Sequence, residues 1–227
     1  MTRRLTSLTL DTLADLPHPC RDCAFWELDR QAGPDACAAA DPGLEKEAWI
    51  SQTLLEWGSC GQLAYVDEVP VGYAIYAPPG YLPRARDFPT APASPDAVLL
   101  TTVFVRSRYA GSGLGRRLVQ GAAQDLARRG VRAVEVFGDA RRTAAGGCIA
   151  PAGFFVAVGF KTVRPHPRYP RLRLELRSAL AWQAEVEYGL AELLGTAGQA
   201  IAGRSPASVA RSARTSIEPV DTSASAG

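Results

Sequence analysis

Residues 98–130 read VLLTTVFVRSRYAGSGLGRRLVQGAAQDLARRG, and three local patterns follow one another in that stretch. Residues 98–105 are apolar and partly β-branched, with the length of a buried strand. Gly111, Gly113 and Gly115 then supply three positions without a Cβ in five residues. Beyond them Leu114, Leu118, Ala122 and Leu126 recur at helical spacing, with Arg116, Arg117, Gln120, Gln124 and Asp125 between them. A helix that starts from glycines aims unsatisfied N–H groups, and the positive end of its dipole, at whatever lies in front of it. A strand, glycine turn and helix in this order therefore predict an anion site, most often for phosphate.

Working outward, Arg128-Arg129-Gly130 ends the helix with cations and a glycine stop, and residues 131–137 read as the next strand. Upstream, residues 62–66 and 71–76 are two strands around Asp67-Glu68-Val69-Pro70, a hairpin. A helix is expected over 43–57, with Gly58 after it. Residues 77–95 hold six prolines and predict an irregular crossing. Downstream come a short helix over 151–158 and two strands over 162–164 and 172–176. The expected organisation is a cysteine-containing extension over 1–42 packed on a domain spanning 43–178, a C-terminal helix over 179–203, and a disordered tail over 204–227.

With 47% hydrophobic and 21% charged residues, the composition is that of a soluble globular chain. A net charge of +2 from 25 basic and 23 acidic residues is too small to imply a nucleic-acid partner. Asp11 and Asp15 interrupt what would be the apolar part of a secretory signal, and no run of 18 apolar residues offers a membrane span. Five cysteines, an odd number, agree with a reduced cytoplasmic setting.

Two common phosphate motifs fit the glycine turn poorly. A Walker loop needs a Lys, then a Ser or Thr, after its last glycine, and here Gly115 is followed by Arg116-Arg117. A dinucleotide fingerprint needs its glycines directly after the strand. Here residues 106–110 intervene and the spacing is Gly111-x-Gly113-x-Gly115, although Glu135 lies about 20 residues on, where a ribose-binding acid would stand. Val105, then Arg108-Tyr109-Ala110-Gly111-Ser112-Gly113 opening a helix, and a second block from Phe154-Phe155 to Gly159-Phe160, resemble the GNAT superfamily of acyl-CoA N-acyltransferases over residues 43–176.

The resemblance implies an α/β fold with a mixed, mostly antiparallel central sheet flanked by helices. It also implies transfer of an acetyl group from acetyl-CoA, as co-substrate, to a primary amine on a small molecule or peptide by direct attack. By the same resemblance Val103, Phe104 and Val105 would offer backbone groups to the pantetheine and the thioester. The backbone of Tyr109, Ala110, Gly111, Ser112, Gly113, Leu114 and Gly115 would cradle the pyrophosphate. Arg106, Arg108 or Arg116 would meet the phosphates. A homodimer is compatible with it, and it calls for neither nucleic acid nor membrane.

The chain departs from that family at the acid and the base. Counting back from Gly159-Phe160, the tyrosine that often protonates the leaving thiolate falls at Phe155, and a frequent asparagine falls at Cys148. A thiol of pKa about 8.5 can leave unassisted, or another group serves. Glu135, between Val134 and Val136, is the candidate base, because burial disfavours a bare carboxylate and so suits proton uptake. The competing reading is a strand carboxylate paired with an arginine, and Asp139 is next in line. Those departures leave open a rival function, a CoA-binding sensor or partner protein without catalysis. His18, Cys20, Cys23 and Cys37 have the ligand chemistry of a zinc site, against a redox pair or free thiols, and no metal is assigned. The basic segment around His166 would either favour an acidic acceptor or be a solvated loop.

Overall fold

The computed structural model describes residues 2–18, 20–28, 41–142 and 148–176; the helix and tail expected over 179–203 and 204–227 lie outside the described residues. In chain order these residues form β1 (Arg3–Ser7), α1 (Pro42–Glu56), β2 (Gly61–Val66), β3 (Val69–Ala77), β4 (Ala97–Val105), α2 (Leu114–Arg128), β5 (Ala133–Phe137), α3 (Ala152–Ala157), β6 (Lys161–Arg164) and β7 (Arg171–Glu175). The seven strands make one mixed sheet in the order β1-β2-β3-β4-β5-β7-β6. Every neighbouring pair is antiparallel except β4 and β5, which α2 connects. None of the described helices is long and apolar enough to cross a membrane.

Local chemistry accounts for most of these boundaries. Asp67 and Glu68 turn the β2–β3 hairpin with φ of 47° and 61°, left-handed angles that match the twist of the flanking strands. Asp41 caps α1 by accepting the N–H groups of Gly43 and Leu44 at 2.8 and 3.4 Å, and Pro42 takes a first-turn position where its missing donor costs nothing. Asp41→Ala should therefore lower stability by about 1 kcal/mol, read as a melting temperature roughly 2 to 4 °C lower. The crossing from β3 to β4 contains two 3-10 turns, Pro79–Tyr81 and Pro83–Asp87. The segment read as an extension supplies β1, the sheet's edge strand, whose register runs from Arg3 opposite Val66 to Ser7 opposite Gln62.

Both faces of the sheet are covered, so its central strands are apolar on both sides. On one face Leu114, Leu118, Ala122 and Leu126 of α2 pack against Ala74, Tyr76, Val98, Leu100, Val134 and Val136. On the other, Tyr73, Ile75, Leu99 and Phe137 meet Trp49 and Ile50 of α1 together with Trp26 and Phe88. Trp26 stacks on Phe88 at 5.2 Å, and Phe88 on Phe137 at 4.4 Å. Gly72 lets β3 approach β4, since a Cβ there would stand 2.6 Å from the Phe104 carbonyl oxygen.

One irregularity positions the site. Thr102 faces Ile75 but Leu100 faces Tyr76, so Thr101 is an extra residue in β4 and its hydroxyl donates to the Ile75 carbonyl at 3.0 Å. Such a bulge bends and twists the strand that carries it. The parallel pairing of β4 with β5 covers Ala97 to Leu99 and stops just before it.

Candidate active site

Where β4 and β5 part, a cleft of about 730 Å³ opens. Val103 and Val105 form its floor, the glycine turn and the start of α2 one wall, and Pro151, Phe154, Ala157 and Val158 the other. Beyond Leu99, the peptide groups of β4 that face β5 have no partner strand among the described residues. They are donors and acceptors laid along an apolar trough.

The glycine turn leaves first-turn N–H groups uncapped and open space in front of them. Gly111 and Gly113 have φ of 73° and 82°, and Gly113 is the N-cap of α2, without a side chain to accept the first-turn N–H groups. A Cβ built on either glycine meets nothing within 4 Å. These glycines thus serve backbone angle and open space rather than packing. Gly115 differs: its Cβ would lie 3.2 Å from the Phe154 ring, so it lets α3 approach α2. The turn is tied down by the Ser112 hydroxyl, which donates to the Tyr109 carbonyl at 2.6 Å, and by Arg3, whose Nη1 donates to the Ser112 carbonyl at 3.0 Å. Arg3 stands 109 residues away on β1, and no local pattern signals that contact.

All the expected cofactor contacts line the cleft except Phe104, Arg106, Arg108 and Ser112. Phe104 points to the opposite face and stacks on Tyr73 at 5.5 Å. Arg108 lies over the Tyr109 ring at 4.8 Å, and Arg106 donates to the Pro70 carbonyl at 3.1 Å. Arg116 is on the lining and also donates to the Ala157 carbonyl at 2.9 Å, joining the two walls. Arg142 lines the cleft as well.

Phe155 is 1% exposed and packs in the core against Phe154 and Phe160, at ring distances of 5.2 and 5.4 Å. Phe154 is the aromatic that faces the cleft, so neither position of that pair brings a hydroxyl to it.

Glu135 is fully buried, opposite Leu99 of β4 and Arg173 of β7, and is not part of the cleft lining. Its carboxylate lies 3.2 Å from Arg173 Nη1 and 3.4 Å from Arg171 Nη1, and accepts the Ser94 N–H at 3.0 Å. The Arg171 contact is an ion pair without the alignment of a hydrogen bond. Arg173 also holds Asp96 through both terminal nitrogens at 2.9 Å; that carboxylate raises the Arg173 pKa and is itself lowered by the guanidinium. Asp139 is likewise engaged, accepting the Arg141 N–H at 2.9 Å.

The thiols are arranged differently from a four-ligand cluster. Cys37 lies outside the described residues. His18 pairs with Asp22 at 2.8 Å, and Cys20 is buried. Cys23 lies against Cys148. Among the described residues no three His, Cys, Asp or Glu side chains are grouped as metal ligands. His166 shapes its own loop, its Nδ1 accepting the N–H groups of Arg168 and Tyr169 at 3.2 and 2.9 Å.

The family model of the acetyltransferase (GNAT) family matches residues 23–154. No curated protein sequence matches significantly. Among solved structures, the PaiA N-acetyltransferase of Thermoplasma acidophilum, in complex with coenzyme A, is similar with a TM-score of 0.52 at 13% identity, over 77% of this chain and 99% of that one. An N-acetyltransferase of Staphylococcus aureus Mu50 is similar with a TM-score of 0.52 at 14% identity, over 78% and 99%. YncA of Salmonella typhimurium, with acetyl-CoA, is similar with a TM-score of 0.50 at 15% identity, over 78% and 95%. At these identities the likeness is one of fold.

Proposed function

The chain belongs to the acetyltransferase (GNAT) family, and from that premise we propose that it moves an acetyl group from acetyl-CoA to a primary amine by direct attack. One observation carries this reading: the glycine turn at the start of α2 and the edge of β4 that no described strand covers face a single cleft. A pyrophosphate fits the first, because the free N–H groups of the turn and the helix dipole attract it where Gly111 and Gly113 leave room. An extended pantetheine chain fits the second, with its amides paired to β4 as another strand would be.

In this reading Val103, Val105, Pro151 and Phe154 shield the thioester from water, and Arg116 and Arg142 supply positive charge for the phosphates. A β4 N–H aimed at the thioester oxygen would stabilise the negative charge that grows there as the amine attacks. The tetrahedral adduct then collapses, the C–S bond breaks, CoA leaves as its thiolate, and the attacking nitrogen gives up a proton to solvent. We assign no step to Glu135, whose carboxylate is taken up by arginines. The acceptor is read no further than a primary amine.

Acetyl-CoA at 100 times its dissociation constant should stabilise the fold by about 2.7 kcal/mol, a rise in melting temperature of roughly 5 to 11 °C. No shift with acetyl-CoA or CoA would sink the reading. The aromatic pair Phe154-Phe155, with no hydroxyl for the leaving thiolate, favours a second reading, a CoA-binding protein without turnover. Release of free CoA thiol on mixing with amines, from peptide N-termini through polyamines to aminoglycosides, separates the two. Binding without release on any of them supports the second.

A further inference from the structure

Cys23 Sγ lies 3.3 Å from Cys148 Sγ, across 125 residues of sequence. The Cys20-x-x-Cys23 spacing points to a different pair, yet Cys20 is the buried member, and Cys23 meets a residue that precedes α3. Each sulfur is held by its backbone. The Cys23 N–H closes a 3-10 turn on the Cys20 carbonyl at 3.4 Å. The Trp26 indole N–H donates to the Cys148 carbonyl at 2.9 Å, and Trp26 is anchored by its stacking on Phe88. Both residues are partly buried but not enclosed, so a small reagent can reach them.

We propose that Cys23 and Cys148 are a modification site, a dithiol that closes to a disulfide and ties the N-terminal segment to the segment entering α3. A disulfide has its sulfurs about 2.05 Å apart, so closure needs an approach of only about 1.3 Å. The division of labour follows from the surroundings. The Cys148 thiol and the backbone at Phe25 hold Cys23 below the ordinary thiol range against desolvation, while the contact with Cys23 and desolvation push Cys148 up. Cys23 is the attacking thiolate and Cys148 the resolving thiol. Cys60, fully buried and pushed up to about 12 by desolvation, stays inert.

The oxidant is a small-molecule disulfide such as oxidised glutathione. The Cys23 thiolate attacks one of its sulfurs, forming a mixed disulfide and expelling one glutathione thiolate. Cys148 loses its proton to solvent and attacks the Cys23 sulfur, and the second glutathione thiolate leaves. The two protein sulfurs are oxidised and one glutathione disulfide is reduced to two thiols; of the two protons these take up, one is the proton Cys148 releases and the other comes from solvent, where the Cys23 proton had already gone.

The test uses the full chain, equilibrated with oxidised or reduced glutathione, then denatured and alkylated. Free thiols should fall from five, the number in the sequence, to three, and return to five with dithiothreitol. A non-reducing peptide map should contain Cys23 linked to Cys148, and the same link should form in Cys20→Ser and Cys37→Ser proteins. Oxidation should raise the melting temperature by roughly 10 °C, because it closes a long loop in the unfolded chain. Retention of all five thiols overturns the proposal, and so does a map in which Cys23 is linked to Cys20 or Cys37. None of these readouts depends on acetyl transfer.

Discussion

Gly113→Glu is expected to raise the dissociation constant of acetyl-CoA by at least about 100-fold while leaving the protein folded. Gly113 has φ of 82° and caps α2, and a Cβ there enters open cleft rather than protein. The substitution therefore places a carboxylate where a phosphate would meet the helix N-terminus. It exchanges attraction for like-charge repulsion, and juxtaposed like charges cost several kcal/mol, against the roughly 2.7 kcal/mol that a 100-fold loss represents. The backbone strain of a side chain at positive φ costs about 1 to 2 kcal/mol, which should lower the melting temperature by only a few degrees. Gly113→Ala carries the strain without the charge and should bind more tightly than the glutamate variant. Calorimetric titration with acetyl-CoA checks both. An unchanged affinity in Gly113→Glu would remove the glycine turn from the binding site.

The second large effect is on stability. Glu135→Ala leaves Arg171, nearly buried, without its only carboxylate among the described residues, and takes one partner from Arg173. Removing one member of a buried ion pair costs about 3 to 5 kcal/mol, a drop in melting temperature of roughly 6 to 20 °C for a chain of this size. If the residue ties β5 to β7, the turnover number per folded molecule should stay within a few-fold of wild type once an acceptor is known. A turnover loss of 100-fold or more, at unchanged melting temperature, would instead make Glu135 the base. Chemical denaturation and single-acceptor kinetics on the same preparation distinguish the outcomes.

How much of this was legible in advance differs from residue to residue. The Leu114, Leu118, Ala122 and Leu126 stripe announced α2, and all four are buried. Asp67-Glu68-Val69-Pro70 announced the hairpin, whereas α1, expected from residue 43, starts at Pro42 under the Asp41 cap. These signals are local, because a period of 3.6, a capping side chain or a left-handed turn is decided by neighbours in the chain. β1 was harder to place, since Arg3–Ser7 is short and mostly exposed and is defined by β2, whose residues lie about 60 positions away. The identity of Phe155 was plain, but not that Phe154 is the one facing the cleft; that depends on how a helix of one and a half turns rolls against α2.

The sequence by itself determined the succession of strands and helices from α1 to β7, the glycine turn between β4 and α2, and the family resemblance that follows from them. Tertiary structure alone decided that β4 leaves β5 after Leu99 and so opens a cleft in front of that turn. It also decided that Glu135 meets Arg171 and Arg173, and that Cys23 meets Cys148 rather than Cys20. The physical reason is the same in each case. A strand's alternation says which side chains share a face but not which strand lies alongside. Contacts between residues tens to more than a hundred positions apart exist only once the sheet has chosen its order.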